Sequence, residues 1–223
     1  MMNLFEKFNI KTENEKLYKI AFTHSSYSLV HEKNYDYERL EFLGDSILNL
    51  IVSQYLFNKY PKYGEGKLTK IRSNYVCQNA LIYYSQEIGL TDFLLVSKEE
   101  LKLTQNEIIA ITADIFESFL GAVFTDQGFD FTKELISKII FKHIDSGKIF
   151  FNDYKSKLKE HCDVKGASLE YKILKEYGVP HDKIFIVACF INGEECGLGR
   201  GKNKKEAEQS AAKSVLKKLN LGD

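Results

Sequence analysis

The run Glu38-Arg39-Leu40-Glu41-Phe42-Leu43-Gly44-Asp45-Ser46-Ile47-Leu48 constrains this chain more than any other. Glu38, Glu41 and Asp45 stand at i, i+3 and i+7, so at about 3.6 residues per turn they share one stripe of a helix. Leu40, Leu43, Ile47, Leu50 and Ile51 cover other faces, so that helix meets apolar neighbours on more than one side. A solvated helix intersperses Lys or Arg among its acids, whereas Arg39 is the only base between Glu38 and Ile51. Three aligned carboxylates on an apolar helix repel one another unless something positive lies between them. A divalent cation is the natural candidate.

A second stretch completes the pattern. Ala113-Asp114-Ile115-Phe116-Glu117-Ser118-Phe119-Leu120-Gly121-Ala122-Val123-Phe124 is apolar almost all round, with Asp114 and Glu117 at i, i+3 on one face. Only a helix buried on most sides reads this way. If the two helices pack together, four or five carboxylates meet in one acidic pocket. Oxygen-only ligation suits a hard cation, Mg²⁺ or Mn²⁺. The alternative, ordinary solvated helix acids, suits a lone Glu but fits two such clusters poorly.

Glu38 to Leu48 resembles the ribonuclease III signature, and Ala113 to Gly121 resembles that family's second acidic motif. The resemblance implies an all-α endonuclease domain that cuts double-stranded RNA with Mg²⁺, Mn²⁺ being able to substitute. Together with the spacing, it assigns Glu41, Asp114 and Glu117 as metal ligands and Asp45 as the residue that positions the attacking water. Glu38 resembles a position linked to the subunit interface or a second metal, and Glu65 an acidic residue able to serve the site. The family dimerises so that two pockets face the two strands. Phe42 and Leu43 are candidates for that interface, although core packing explains each one singly as well.

Composition sets the remaining bounds. With 223 residues, 44% hydrophobic and 28% charged, the chain suits one or two soluble globular domains. Net charge is zero, which alone argues against a nucleic-acid binder, but the charge is unevenly spread. Residues 151–223 carry 14 Lys and Arg against 11 Asp and Glu, leaving 17 against 20 in the first 150. Cys77, Cys162, Cys189 and Cys196 show no C-x-x-C pairing and no zinc-like spacing to His, and read as reduced, buried thiols. No secretory leader is legible, and no uninterrupted apolar run approaches the roughly 18 residues that span a bilayer. The expectation is a cytoplasmic protein with no membrane and no small-molecule cofactor.

In chain order, residues 3–9 and 13–23 read as short helices, and His24 as a packed structural histidine rather than a catalytic base. Asp36 is a candidate N-cap for the first acidic helix, which runs to Tyr60 and stops at Pro61. Lys62 to Gly66 reads as a turn containing Glu65. Lys67 to Gly89 keeps one helical period, with Lys67, Lys70 and Arg72 crowding its opening turns as phosphate contacts or a solvated face. Asn106–Thr125 and Phe131–Ile144 complete an all-α domain over 1–147. Residues 148–152 form a short linker.

The rest, 153–223, changes character. A helix from Asp153 to Cys162, strands over 169–174, 183–191 and 194–199, an Asn192-Gly193 hairpin turn and a helix over 204–219 give the order α-β-β-β-α. That order resembles a double-stranded-RNA-binding domain. In Gly199-Arg200-Gly201-Lys202-Asn203-Lys204-Lys205 the glycines are expected to bring backbone close to the duplex. Lys202, Lys204 and Lys205 cluster at a helix N-terminus capped by Asn203, where N–H groups also favour phosphate. The resemblance adds Lys155 and Glu160 on the first helix and Pro180 and His181 in the loop at 178–181.

The function expected is a homodimeric, metal-dependent endoribonuclease that cuts duplex RNA, leaving short 3′ overhangs and 5′-phosphates, and processes ribosomal RNA precursors and structured messenger or transfer transcripts. A binding protein that only sequesters duplex RNA would be expected to lose site carboxylates. A DNA nuclease would not need a module that reads A-form geometry.

Overall fold

The computed structural model describes residues 2–97, 103–150, 153–178 and 183–221. It divides into two compact units, Met1–Phe151 and Asn152–Asp223.

The first unit is helical, with α1 Met2–Phe8, α2 Glu15–Ala21, α3 Ser25–Val30, α4 Glu38–Lys59, α5 Glu65–Val76, α6 Gln78–Ile88, α7 Gln105–Ile136 and α8 Lys142–Asp145. A 3₁₀ turn at Leu90–Phe93 and a π turn at Ser137–Phe141 link them. Among the described residues its one sheet-like pairing is an isolated parallel bridge between Thr23 and Leu95. Local chemistry fixes many helix ends. The Asn14 side chain accepts from the Leu17 N–H, Thr104 and Glu107 form a capping box, and Gly89 closes α6 at φ 79°. Asp36 Oδ1 accepts from the Glu38 N–H at 3.1 Å, although the residue directly before α4 is Tyr37.

Two long helices make the core. Leu48, Ile51, Val52 and Leu56 of α4 are buried, as are Ile115, Phe116, Phe119, Leu120 and Val123 of α7, with Tyr18 and Phe22 in the same cluster. Each such side chain contributes about 1.5–3 kcal/mol on burial. The stretch Glu107–Asp145 is long and apolar enough to cross a membrane by composition, but its most apolar window is mostly buried here as core.

The structure departs from the sequence expectation in three places within this unit. The single helical period over 67–89 breaks at Cys77, whose backbone is extended (φ −75°, ψ 158°). No Gly or Pro marks the break. Asn74 and Asn79, on either side of it, hold the main chain of 148–150: Asn74 Nδ2 donates to the Lys148 carbonyl, the Phe150 N–H donates to Asn74 Oδ1, and Asn79 Nδ2 donates to the Phe150 carbonyl. The Phe150 ring lies beside those of Tyr83, Tyr84 and His143. Glu65 and Gly66 belong to the first turn of α5 rather than to a loop, because a carboxylate is favoured at a helix N-terminus. The second acidic helix runs on to Ile136, bent at Gly128, whose φ of 81° leaves the helical region.

The second unit is α9 Tyr154–Val164, β1 Leu169–Tyr177, β2 Ile184–Ile191, β3 Glu194–Gly201 and α10 Lys204–Lys218, with the strands antiparallel in the order β1-β2-β3. Asn192 and Gly193 both have positive φ, 51° and 82°, as a tight hairpin turn requires. Leu158 and Cys162 of α9 and Ala207, Ala211, Val215 and Leu216 of α10 cover Phe185, Val187 and Cys189 of the sheet. The four cysteines are free thiols; Cys162 and Cys189 are buried, Cys77 and Cys196 half-buried.

Candidate active site and nucleic-acid interface

The acidic site exists because α4 and α7 touch backbone to backbone. A Cβ added at Gly44 would stand 1.7 Å from the Glu117 carbonyl oxygen, and one added at Gly121 would stand 2.1 Å from that of Leu40. Glycine in a helix interior is disfavoured by about 1 kcal/mol relative to Ala, so two of them facing each other's helix mark a packing need. Beside these contacts α4 carries Glu41 and Asp45, and α7 carries Glu117 at the contact and Asp114 one turn before it.

The carboxylates act on one another through partly dehydrated space. Burial, then Asp45, Glu41 and Asp114, pushes the Glu117 carboxyl up to about 8. Burial, then Asp114, Glu38 and Asp45, pushes Glu41 up to about 7. Asp114 is raised by burial, against the opposing effects of a Tyr37 hydrogen bond and the nearby His24. The two aspartates are held by donors: Tyr37 Oη donates to Asp114 Oδ2 at 2.9 Å, and Asn49 Nδ2 to Asp45 Oδ1 at 2.6 Å. Among the described residues no three His, Cys, Asp or Glu side chains converge closely enough to grip an ion as they stand. Like charges with nothing positive between them keep their distance. The donor set is nevertheless all oxygen, and the groups that shift Glu41 and Glu117 include no cation, so the residues fit a hard divalent cation.

Glu38 is exposed at the start of α4 and acts on Glu41. Glu65 is not brought to the four acids. It accepts from Thr69 Oγ1 and lines a separate cavity of about 380 Å³ with Ser53, Phe57, Tyr63, Leu68 and Arg72. His24 caps α3, its Nδ1 accepting from the Ser26 N–H, and burial pushes its pKa down. Of the basic residues opening α5, Lys67 lies over the Tyr63 ring and Arg72 donates to Ser53 Oγ. Phe42, 77% exposed, shares an open stripe of α4 with Leu50 and Phe57, while Leu43 packs against the core.

In the second unit Lys202, Asn203, Lys204 and Lys205 are all exposed at the start of α10. Asn203 Oδ1 accepts from the Glu206 N–H at 2.9 Å, and Glu206 Oε2 from the Lys202 N–H at 2.9 Å. Lys155 is tied to α10 instead of standing free: its ammonium pairs with Glu208 and its N–H donates to Gln209 Oε1. Glu160 is exposed on α9. Pro180 and His181 lie outside the described residues. Gly199 and Gly201 have a packing role that the sequence did not suggest, since the faces a Cβ would take are filled by α10. A Cβ at Gly199 would stand 2.1 Å from the Ala211 nitrogen, and one at Gly201 2.4 Å from that of Ala207. Their missing side chains let the helix lie directly on β3.

Sequence reasoning missed Tyr37, Asn49 and the packing role of Gly44 and Gly121. Only the glycines left a signal, as helix-interior positions where Ala would be preferred.

Comparison with known proteins agrees with the helical first unit and the α-β-β-β-α second unit. Residues 14–144 match a ribonuclease-III-like family model, and residues 154–219 a double-stranded RNA binding motif. Ribonuclease 3 of Bacillus cereus (strain G9842) is 44% identical over 218 residues, 96% of this chain and 89% of that protein. Ribonuclease 3 of Geobacillus thermodenitrificans is 42% identical over 224 residues, 99% of this chain and 91% of that protein. The nuclease domain of ribonuclease III from Campylobacter jejuni, described for flexibility in the region involved in dimer formation, superposes with a TM-score of 0.56. It is 33% identical and covers 62% of this chain and 94% of its own.

Proposed function

The chain belongs to the ribonuclease III family, endoribonucleases that act on double-stranded RNA, and we propose that it does so as a homodimer using Mg²⁺, with Mn²⁺ able to substitute. The observation that carries this reading is that Glu41 and Asp45 of α4 and Asp114 of α7 all act on the half-buried Glu117 beside the Gly44–Gly121 crossing.

Glu41, Asp114 and Glu117 would hold the cation. When bound, it supplies Lewis acidity that acidifies water and neutralises charge developing on the scissile phosphate. Asp45, steadied by Asn49, orients the attacking water, and Glu38 adds negative charge at the rim. Glu65 is on another face and enters the chemistry only if a second copy brings it there. An A-form duplex hides its base edges, so grip comes from phosphates, 2′-hydroxyls and shape, the contacts that Lys202, Lys204 and Lys205 at the start of α10 can make. Lys155 and Glu160 on α9, with Pro180 and His181, extend that grip.

A dimer is supported by the apolar stripe of Phe42, Leu50 and Phe57, side chains too large and too exposed for a monomer surface. Two pockets acting on opposite strands would leave short 3′ overhangs and 5′-phosphates. Ribosomal RNA precursors and structured messenger or transfer transcripts in the cytoplasm are the substrates we assign.

The test is cleavage of an end-labelled RNA duplex, with and without Mg²⁺, by wild type and Glu117→Gln. Metal-dependent cuts in both strands that vanish in the variant, with affinity kept in Ca²⁺, are expected. Binding without cleavage under every condition would make the protein a sequestering factor instead.

A further inference from the structure

Tyr37 is 4% exposed and fixed on both sides. Its N–H donates to the Thr23 carbonyl at 2.9 Å, its ring lies 5.7 Å from that of His24, and its hydroxyl reaches across to α7, donating to Asp114 Oδ2 at 2.9 Å. The Asp114 side chain makes no other hydrogen bond among the described residues, so Oδ1 keeps its lone pairs. Asp114 in turn raises the carboxyls of Glu41 and Glu117, so its charge reaches the space those two share. The terminal torsion of an Asp carboxylate is broad, so one orientation persists only where a donor holds it.

We propose that Tyr37 is a positioning residue that, by holding Asp114 Oδ2, fixes the orientation of a carboxylate that would bind the divalent cation. This rests on Asp114 being a ligand of that cation. A buried phenol suits the task because it donates one directional hydrogen bond without adding positive charge, so the pocket keeps its attraction for a cation. Outer partners of this kind set ligand orientation, and their loss typically weakens metal binding 10- to 100-fold.

The experiment measures Mn²⁺ binding to the full chain without RNA, following the free ion by electron paramagnetic resonance. Wild type, Tyr37→Phe, Asp114→Asn and the double variant are compared. Tyr37→Phe keeps the buried ring, and its metal-free unfolding midpoint reports any structural cost separately. The expected result is about tenfold weaker Mn²⁺ binding in Tyr37→Phe, with less than about twofold further loss when that change is added to Asp114→Asn. Wild-type affinity in Tyr37→Phe, with clear loss in Asp114→Asn, would overturn the role of Tyr37 and leave the cation site standing. An equal loss from Tyr37→Phe in both backgrounds would show that it does not act through Asp114. Unchanged affinity in Asp114→Asn would remove the ligand assignment, and the proposal with it.

Discussion

Gly44 meets Glu117 with no room between them: a Cβ on the glycine would stand 1.7 Å from the carbonyl oxygen of the glutamate. The same crossing that buries the core of α4 against α7 therefore sets the spacing of the carboxylates. Packing and chemistry share one contact.

Gly44→Ala is the direct test of that coupling. The substitution gains up to about 1 kcal/mol of helix propensity but forces two backbones apart, an overpacking that no rotamer change relieves. A net loss of about 2 kcal/mol or more is expected, lowering the unfolding midpoint by about 4–8 °C, with cleavage impaired in the protein that remains folded. Gly66→Ala, with no atom within 4 Å of its added Cβ, is the control and should be neutral or stabilising. Calorimetry of both variants decides it.

Glu117→Gln should separate binding from chemistry. We expect cleavage of a labelled duplex to fall more than about 100-fold, since a lost ligand should cost at least as much as a lost outer partner. Gel-shift affinity in Ca²⁺ should stay within about twofold. The variant should also be more stable than wild type without metal, because a buried carboxylate pressed by Asp45, Glu41 and Asp114 becomes neutral.

The metal-free protein should gain stability as the pH falls. Glu41 and Glu117 titrate at about 7 and about 8 when folded, above their ordinary value near 4.5, so between those limits the native state binds more protons than the unfolded one. Their contribution is complete below the unfolded value and lost as pH rises through 7 and 8. Unfolding midpoints with a chelator should rise from pH 8.5 down to about 5.5. Glu117→Gln or added Mg²⁺ should flatten the slope, and a slope of the opposite sign would contradict the acidic pocket.

On the second unit, Lys204→Ala and Lys205→Ala should each weaken duplex RNA binding and reduce the slope of log affinity against log salt by about one. Lys155→Ala should change that slope less and stability more, since its ammonium ties α9 to Glu208 of α10. Affinity titrations between low and moderate salt, with thermal melts, distinguish the two behaviours.

Phe42→Glu and Phe57→Glu should yield a monomer. Both side chains stand mostly in solvent, so the change has little packing cost within one chain and a large one across an interface. Sedimentation at equal concentration reads the outcome. A dimer that survives both substitutions would move the interface elsewhere.

By itself the sequence determined the helical first unit, the α-β-β-β-α second unit and the stripe of acids. Spacing on a helix or strand is local, and period 3.6 or 2 is legible without knowing what lies opposite. Glu41 and Asp45, and Asp114 and Glu117, were therefore visible as pairs. Only the tertiary structure decided the rest. The break at Cys77 follows from Asn74 and Asn79 holding a segment some seventy residues away. The helix start at Glu65 takes that residue to a cavity none of the four acids lines. Gly199 and Gly201 proved to be a seat for α10. Tyr37 could be joined to Asp114 only once α7 lay beside it, because a hydrogen bond between distant residues leaves no periodicity in the chain that makes it.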